Sequence, residues 1–265
     1  MRFSVIGDPV AHSKSPLMHN AAYRALGMPH SYEAIRVSNE IELGSIIDQL
    51  RNGTLSGVNV TFPHKREVLA WVDEVDEVVK AVGAANTLYL RGGRICATNT
   101  DAPAIKAELG SLGLQGPDRA LVIGSGGAAR AAIVALCDSR DIVVYARSPD
   151  AIVLEMSPKT SARLTAARSV VGSFDCIVQA TSAGMTGADP GEPIADAIDW
   201  TALSDATVVL ETIYSPRETP VLRAARARGL VHVNGLGVLA RQGALAFEIW
   251  LGEAPLDVMR AAISR

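Results

Sequence analysis

The sequence has few cysteines, almost balanced charge, and no apolar run long enough to span a membrane. Its three cysteines, Cys96, Cys137 and Cys176, lie far apart in apolar surroundings within 265 residues. We therefore expect buried thiols in a reducing compartment and exclude a disulfide framework. A net charge of −3 does not indicate a nucleic-acid partner, which would need a clustered basic face.

Signals for targeting and for metal binding are missing too. The first residues enter a strand pattern directly and lack the features of a secretory peptide. We expect a cytoplasmic protein without membrane or nucleic-acid partners. No cysteine–histidine group has metal-ligand spacing, and the five histidines are scattered, so we predict no metal site. Apolar residues make up 48% of the chain, which is enough for one large domain or two modest ones.

A glycine-rich turn joins a short apolar run to an alanine-rich helix pattern. Residues 121–123 indicate a buried strand, and Gly124, Gly126 and Ala129 follow with the spacing G-x-G-x-x-A. Gly124 permits a tight turn, Gly126 permits close approach of a pyrophosphate, and Ala129 permits close helix packing. The start of the following helix, over about 128–137, offers free N–H groups to phosphate. The pattern predicts a dinucleotide site, with a turn that binds nothing as the alternative.

The next predicted strand, 141–147, bears on which dinucleotide is bound. An NAD site usually carries an acidic residue about 20 residues after the glycines. Ala146 and Arg147 stand at that point, and a guanidinium suits the 2′-phosphate of NADP. We predict NADP as the cofactor. Asp150 lies close by and leaves NAD possible.

Strands and helices alternate along the first hundred residues. The pattern predicts strands over 3–6, 31–37 and 56–60, with helices over 17–26 and 40–50 between them. This β-α-β-α-β order predicts an α/β fold with a largely parallel sheet. A hairpin is predicted at residues 91–94.

Candidate ligand-binding residues follow the predicted strands. Ser13 and Ser15 follow the first strand, and Thr61 and Lys65 follow the third, where open α/β sheets form ligand crevices. A lysine at a helix start is disfavoured by the helix dipole, and proton transfer is one reason to keep it there. The alternatives are that Ser15 only caps the following helix and that Lys65 is only solvated. Asp101, at the start of a later predicted helix, has a helix cap as its alternative.

Eight short motifs in one order resemble the shikimate dehydrogenase family over nearly the whole chain. The motifs are His12-Ser-Lys-Ser-Pro16, Asn59-Val-Thr-Phe-Pro-His-Lys65, Gly83-Ala-Ala-Asn-Thr87, Asn99-Thr-Asp101, Gly124-Ser-Gly-Gly-Ala-Ala129, Ala180-Thr-Ser-Ala-Gly-Met185, Tyr214-Ser-Pro216, and the stretch from Arg241 to Phe247 with Gln242. Each motif alone is weak, but together they are specific.

The resemblance implies reversible NADP-dependent hydride transfer between shikimate and 3-dehydroshikimate, in aromatic amino-acid biosynthesis. It implies that Lys65 and Asp101 are the catalytic pair. The implied substrate residues are Ser13, Ser15, Thr61, Asn86, Tyr214 and Gln242. The implied cofactor residues are Gly124, Ser125, Gly126, Gly127, Ala128, Ala146, Arg147, Ser148, Thr181, Thr212, Gly235 and Glu77.

The chain departs from the family pattern after the second strand of the dinucleotide motif. The family commonly shows Asn-Arg-Thr there, whereas this chain has Ala146-Arg-Ser148. A further basic residue usual just beyond is replaced by Pro149 and Asp150. The predicted 2′-phosphate site is left with one basic residue. Gln179 stands where the family usually has asparagine.

The resemblance also implies two α/β domains. We expect a mostly parallel substrate domain over 1–101 plus 237–265, and a Rossmann-type NADP-binding domain over 102–236. The protein is expected to be a monomer or homodimer. A paralogue acting on quinate or on an amino analogue of shikimate is the nearest alternative, and a non-catalytic dinucleotide sensor is another.

Overall fold

A computed structural model describes residues 1–114, 116–156 and 158–264 of the chain. These residues form two compact units, one from Met1–Ala104 with Leu239–Arg265 and the other from Ile105–Val238. The sequence predicts the divisions after residue 101 and after residue 236. Within the described ranges, no helix has the length and apolarity needed to cross a membrane. Those same residues contain no group of three or more His, Cys, Asp and Glu placed to hold a metal ion.

Strands and helices alternate along most of the chain. The strands are β1 (Arg2–Gly7), β2 (Ser31–Arg36), β3 (Gly57–Val60), β4 (Glu74–Val75), β5 (Thr87–Arg91), β6 (Arg94–Thr98), β7 (Arg119–Ile123), β8 (Asp141–Tyr145), β9 (Leu164–Ala167), β10 (Cys176–Gln179), β11 (Val208–Glu211) and β12 (Val231–Val233). The helices are α1 (Ser15–Ala25), α2 (Glu40–Arg51), α3 (Glu77–Val82), α4 (Asp101–Ser111), α5 (Gly127–Ala135), α6 (Pro149–Glu155), α7 (Pro158–Ser161), α8 (Glu192–Asp196), α9 (Pro220–Ala227), α10 (Leu236–Leu251) and α11 (Leu256–Ile263), with a 3₁₀ helix at Glu67–Trp71.

The sheet of the first unit has the strand order β2-β1-β3-β5-β6-β4. β1 runs parallel to β2 and β3, and β4 runs parallel to β6. β5 is antiparallel to both of its neighbours. Gly92 and Gly93 have φ of +60° and +78°, which suits the tight turn of the predicted β5–β6 hairpin. The sheet is therefore mostly parallel, with one inserted antiparallel strand.

The C-terminal segment completes the first unit. Helix α11 packs against α1, and the Lys14 ammonium donates to the carbonyl of Ile263 at 3.1 Å. Trp250 on α10 donates its indole N–H to the carbonyl of Leu88 at 3.1 Å. Gly57 lies directly beneath the Trp250 ring, where a Cβ would overlap it. The first hundred residues therefore share their core with the last twenty-seven.

The sheet of the second unit has the order β12-β11-β10-β7-β8-β9, and all five pairings are parallel. If these strands are numbered from 1 for β7 to 6 for β12, the order across the sheet from β9 to β12 is 3-2-1-4-5-6. This is the doubly wound order of dinucleotide-binding domains. The order reverses between β7 and β10. Ligands bind at that switch point, beyond the carboxyl ends of the strands. The predicted two-part α/β fold is confirmed.

Three local predictions differ from the structure. The segment from Lys65 to Trp71 contains only the 3₁₀ turn, and Lys65 lies in the loop before it. Cys137 is exposed because it follows the last turn of α5, whereas Cys96 and Cys176 are buried as expected. The sequence pattern does not predict α6, which starts at Pro149 with the ring at the first helical position.

Candidate active site

Lys65 and Asp101 form a close ion pair in the first unit. The Lys65 Nζ donates to Asp101 Oδ2 at 2.6 Å. The Lys65 side chain is 18% exposed and that of Asp101 is 12% exposed. An amine held against a carboxylate and still reached by water can take up or release a proton. The structure brings the two predicted catalytic residues together.

The carboxylate of Asp101 does not cap its own helix. Instead, the Asn99 Oδ1 accepts from the backbone N–H of Asp101 at 3.0 Å and of Ala102 at 3.1 Å. Asn99 also donates to the carbonyl of Ala84 at 2.9 Å. Asn99 therefore satisfies the free donors of the α4 start and leaves both oxygens of Asp101 for other partners. The capping alternative for Asp101 is wrong.

Asn86, predicted to bind substrate, connects the ion pair to the rest of the site. Its Nδ2 donates to Asp101 Oδ1 and to Thr100 Oγ1, each at 2.9 Å. Its Oδ1 accepts from the N–H of Thr100 at 2.7 Å. Gln242 on α10 reaches the same amide, with its Oε1 at 3.4 Å from Asn86 Nδ2. Residues 156 positions apart in sequence thus meet beside Lys65 and Asp101.

The other predicted substrate residues of the first unit lie beyond the ends of β1 and β3. The N–H of Ser15 donates to Ser13 Oγ at 3.2 Å, and Ser15 is buried. The N–H of Thr61 donates to the carbonyl of Ile6 at 2.8 Å. Because β1 and β3 are parallel neighbours, their carboxyl ends lie at one edge of the sheet. The Ser13–Ser15 loop and the Thr61–Lys65 loop share that edge.

Several buried residues of the site were missed by the sequence predictions. Tyr32 donates its hydroxyl to Asn59 Oδ1 at 2.7 Å, and Asn59 donates to the carbonyl of Asn86 at 3.0 Å. Asn59 also donates to Thr87 Oγ1 at 3.0 Å. Polar residues inside otherwise apolar strands were the available signal, since buried polar groups need partners.

Two histidines lie near the site, one held by hydrogen bonds and the other by packing. His64, beside Lys65, contacts Glu67 Oε2 and the carbonyl of Val37, each at 2.7 Å. His19 is fully buried and stacks on Tyr32 with ring centroids 4.1 Å apart. Burial lowers the pKa of His19 to about 3, so its ring is neutral at physiological pH. These contacts give both rings a structural role.

The predicted glycine turn of the second unit has the geometry that a dinucleotide needs. Gly124 has a φ of +122°, which favours glycine, and leads directly from β7 towards α5. A Cβ on Gly126 would point into open space, so the backbone is free for a ligand to approach. Within the described part of the chain, no side chain caps α5, whose first N–H groups suit a phosphate. Ser125 lies in this turn, and Gly127 and Ala128 are the first two residues of α5.

The remaining predicted cofactor residues of the second unit follow β8, β10 and β11. Ala146, Arg147 and Ser148 connect β8 to α6, with Arg147 exposed. Thr181 lies against Gly124, and its N–H donates to Gln179 Oε1 at 2.6 Å. A Cβ on Gly235 would overlap the carbonyl of Thr212. These segments therefore meet at the carboxyl edge of the second sheet.

Two predicted site residues belong to neither of these groups. Glu77 is an exposed residue at the start of α3 and forms an ion pair with Lys80 at 2.6 Å. Tyr214 lies in the loop after β11 and belongs to the second unit, whereas the other predicted substrate residues belong to the first. The roles of Glu77 and Tyr214 therefore stay predictions.

A lysine–carboxylate pair in one α/β unit and a dinucleotide turn in another are features of nucleotide-dependent oxidoreductases. Two family models match the chain, "Shikimate dehydrogenase substrate binding domain" over residues 5–88 and "Shikimate 5′-dehydrogenase C-terminal domain" over residues 235–263. A shikimate dehydrogenase (NADP(+)) of Shouchella clausii is 38% identical over 96% of this chain and 94% of its own length. The chain belongs to the shikimate dehydrogenase family.

Solved structures agree with this assignment. A crystal structure of a shikimate dehydrogenase in complex with NADP+ has a TM-score of 0.88 at 33% identity, covering 99% of this chain and 94% of that one. The Thermus thermophilus enzyme, in complex with NADP(H) and shikimate, has a TM-score of 0.85 at 32% identity, covering 99% and 98%. The resemblance seen in the sequence motifs is confirmed.

Proposed function

We propose that this chain is an NADP-dependent shikimate dehydrogenase, which interconverts shikimate and 3-dehydroshikimate in aromatic amino-acid biosynthesis. The observation that supports it most is the 2.6 Å contact between Lys65 and Asp101, held in place by Asn86 beside Gln242. This arrangement offers a proton-transfer pair surrounded by polar groups suited to a hydroxylated acid. The identity of the substrate and of the cofactor is taken from the relatives named above.

The reaction needs this chain to move one proton, which it takes up in oxidation and gives back in reduction. In the oxidising direction, the C–H bond at C3 breaks with its electron pair, the O–H bond breaks, and a C=O bond forms. The bound cofactor would supply the hydride acceptor as NADP+ and the hydride donor as NADPH. The neutral amine of Lys65 takes the hydroxyl proton and becomes an ammonium, which returns the proton to water or to the oxygen in reduction. Asp101 orients the amine through the 2.6 Å hydrogen bond.

The substrate and cofactor assignments extend this proposal residue by residue. In the first unit, the hydroxyls and amides of Ser13, Ser15, Thr61, Asn86 and Gln242 bind the carboxylate and hydroxyls of shikimate. Tyr214 stays a predicted substrate residue and Glu77 a predicted cofactor residue. In the second unit, the turn from Gly124 to Gly126 and the start of α5 would hold the pyrophosphate, together with Thr181, Thr212 and Gly235. Ala146, Arg147 and Ser148 would bind the adenosine ribose.

Turnover of shikimate with NADP+ tests the proposal. NADPH formation is measured by absorbance with shikimate, with quinate and with an amino analogue of shikimate at equal concentration. We expect the highest kcat/KM with shikimate. A higher value with quinate or the amino analogue would support the paralogue alternative, and cofactor binding without any turnover would support a sensor. A cytoplasmic location and a monomer or homodimer stay predictions.

Arg147 provides a test of cofactor choice. Replacing Arg147 by alanine should raise the KM for NADP+ about 10-fold or more, because charged hydrogen bonds to phosphate contribute about 1.5–3 kcal/mol. The KM for NAD+ should change less than about twofold, since NAD lacks the 2′-phosphate. Steady-state kinetics of both cofactors, with the wild-type enzyme alongside, measure the effect. Equal losses with both cofactors would place Arg147 outside the 2′-phosphate site.

A further inference from the structure

The segment from the end of β8 into α6 carries one arginine and one acid close together. Arg147 and Asp150 lie three residues apart, Arg147 before α6 and Asp150 in its first turn. The Asp150 side chain is 66% exposed, so its charge faces solvent. A phosphate ester near Arg147 would meet this negative charge as well as the positive one. On its own, the Arg147 loop has a net charge of zero towards a dianion.

A second arginine comes from the neighbouring strand. β8 and β9 are parallel, and Tyr145 at the end of β8 lies opposite Ala167 at the end of β9. Arg168 is the next residue after β9, and therefore emerges at the same edge as Ala146. Its Nη2 donates to Asp150 Oδ2 at 3.2 Å. Arg168 thus contacts Asp150, three residues after Arg147, although it is distant from both in sequence.

The Arg168–Asp150 contact leaves most of the arginine available. One Nη2 contact occupies part of a guanidinium that has five N–H donors. The Arg168 side chain is 78% exposed. An ion pair this exposed contributes little to stability, about 0–1 kcal/mol, so fold stability is a weak reason for the pair. Its larger effect is electrostatic, because Arg168 offsets the charge of Asp150 and leaves Arg147 unopposed.

We propose that Arg168 is a specificity-determining residue for the cofactor and that it forms, with Arg147, a two-arginine site for the 2′-phosphate of NADP. Asp150 pairs with the Arg168 guanidinium and opposes the charge of the phosphate. The charge of the site becomes +1 with both arginines and one acid present, whereas it is zero without Arg168. This inference rests on the proposed use of NADP. Arg168, which directly follows the next strand, takes the place of the basic residue that α6 lacks.

Calorimetric titration with cofactor fragments tests the proposal without turnover. The probes are adenosine 2′,5′-bisphosphate, which carries the 2′-phosphate, and adenosine 5′-monophosphate, which does not. Arg168→Ala should weaken binding of the bisphosphate about 10-fold and change binding of the monophosphate less than about twofold. Asp150→Asn should strengthen bisphosphate binding about 3-fold, because it removes a repulsive charge.

A matched control comes from the first unit. Arg2 forms a similarly exposed ion pair with Glu33 at 2.6 Å, at the start of β1. Arg2→Ala should leave binding of both probes unchanged. Arg168→Gln, which keeps a polar side chain of similar reach, should show the same loss as Arg168→Ala and guards against a packing effect of the smaller residue.

The outcomes separate this inference from the proposed function. If Arg147→Ala loses bisphosphate affinity and both Arg168 variants retain it, the role of Arg168 is overturned and NADP use stands. If the Arg168 variants lose affinity for both probes equally, Arg168 does not read the 2′-phosphate and the inference is again overturned. If the wild-type protein binds both probes equally, the NADP assignment fails, and the inference fails with it.

Discussion

Replacement of Lys65 by alanine is expected to lower kcat for shikimate oxidation by about 10²–10⁴-fold, the usual range for loss of general acid–base catalysis. The KM for shikimate should change much less, because the proposed substrate residues Asn86, Thr61 and Gln242 are unchanged. Steady-state kinetics with NADP+ measure the effect.

A matched lysine gives the control. Lys106 forms an exposed ion pair with Asp138 at 2.7 Å on the second unit. Lys106→Ala removes the same charge and should leave kcat within about twofold, since surface pairs contribute little. A raised KM with an unchanged kcat in Lys65→Ala would make Lys65 a binding residue.

The variant Glu211→Gln is expected to make the protein more stable at alkaline pH. Glu211 ends β11 and is fully buried, with Oε2 accepting from Thr219 Oγ1 at 2.9 Å. Its Oε1 finds no hydrogen-bond partner among the described residues. Burial raises the pKa of Glu211 from 4.5 to about 8. The carboxyl is therefore neutral in the folded protein at pH 7 and ionised in the unfolded chain.

The sign of the pH dependence follows from this difference. Between about pH 4.5 and pH 8 the folded state holds a proton that the unfolded state has lost, so the free energy of unfolding falls as pH rises. At 1.36 kcal/mol per pKa unit, the full loss is at most about 5 kcal/mol. Glutamine does not ionise, so the variant does not lose this free energy of unfolding. Thermal unfolding should give similar Tm values near pH 5 and a variant Tm higher by roughly 5–10 °C near pH 8.5.

Glu42 provides a control of opposite sign. Its carboxylate accepts from the N–H of Ser38 at 2.7 Å, and this bond holds the pKa of Glu42 below its ordinary value. A lowered pKa stabilises the fold at neutral pH and loses that effect as the pH falls. Glu42→Gln should therefore reduce the Tm near pH 7 and approach wild type in acid. A Glu211→Gln variant whose Tm follows wild type at every pH would contradict the buried neutral carboxyl.

The elements with strong local patterns were predictable from sequence. The glycine turn at Gly124, the first β-α-β-α-β run and the hairpin at Gly92–Gly93 each have a local physical cause. The pairing of Lys65 with Asp101 needed the family motifs, because nothing local indicates which loops meet. The structure brings the two residues into contact, but Lys65 lies in a loop where the sequence pattern predicts a helix start.

Residues that act through tertiary neighbours were not predictable. Asn99 caps α4 and so frees Asp101, but an asparagine two residues before a helix has many roles in other proteins. Arg168 meets Asp150 only because β9 pairs with β8 in one register, which no short pattern encodes. Glu211 has an unusual pKa because of burial, and burial depends on the whole second sheet.

The first unit is discontinuous in sequence, since Met1–Ala104 is completed by residues after Val238. During synthesis on a ribosome, residues 1–104 are made before α10 and α11, which complete their unit. The intervening residues, Ile105–Val238, have their own sheet and core. Gln242 follows them in sequence, so the hydrogen-bonded site around Asn86 is assembled only after the whole second unit has been made.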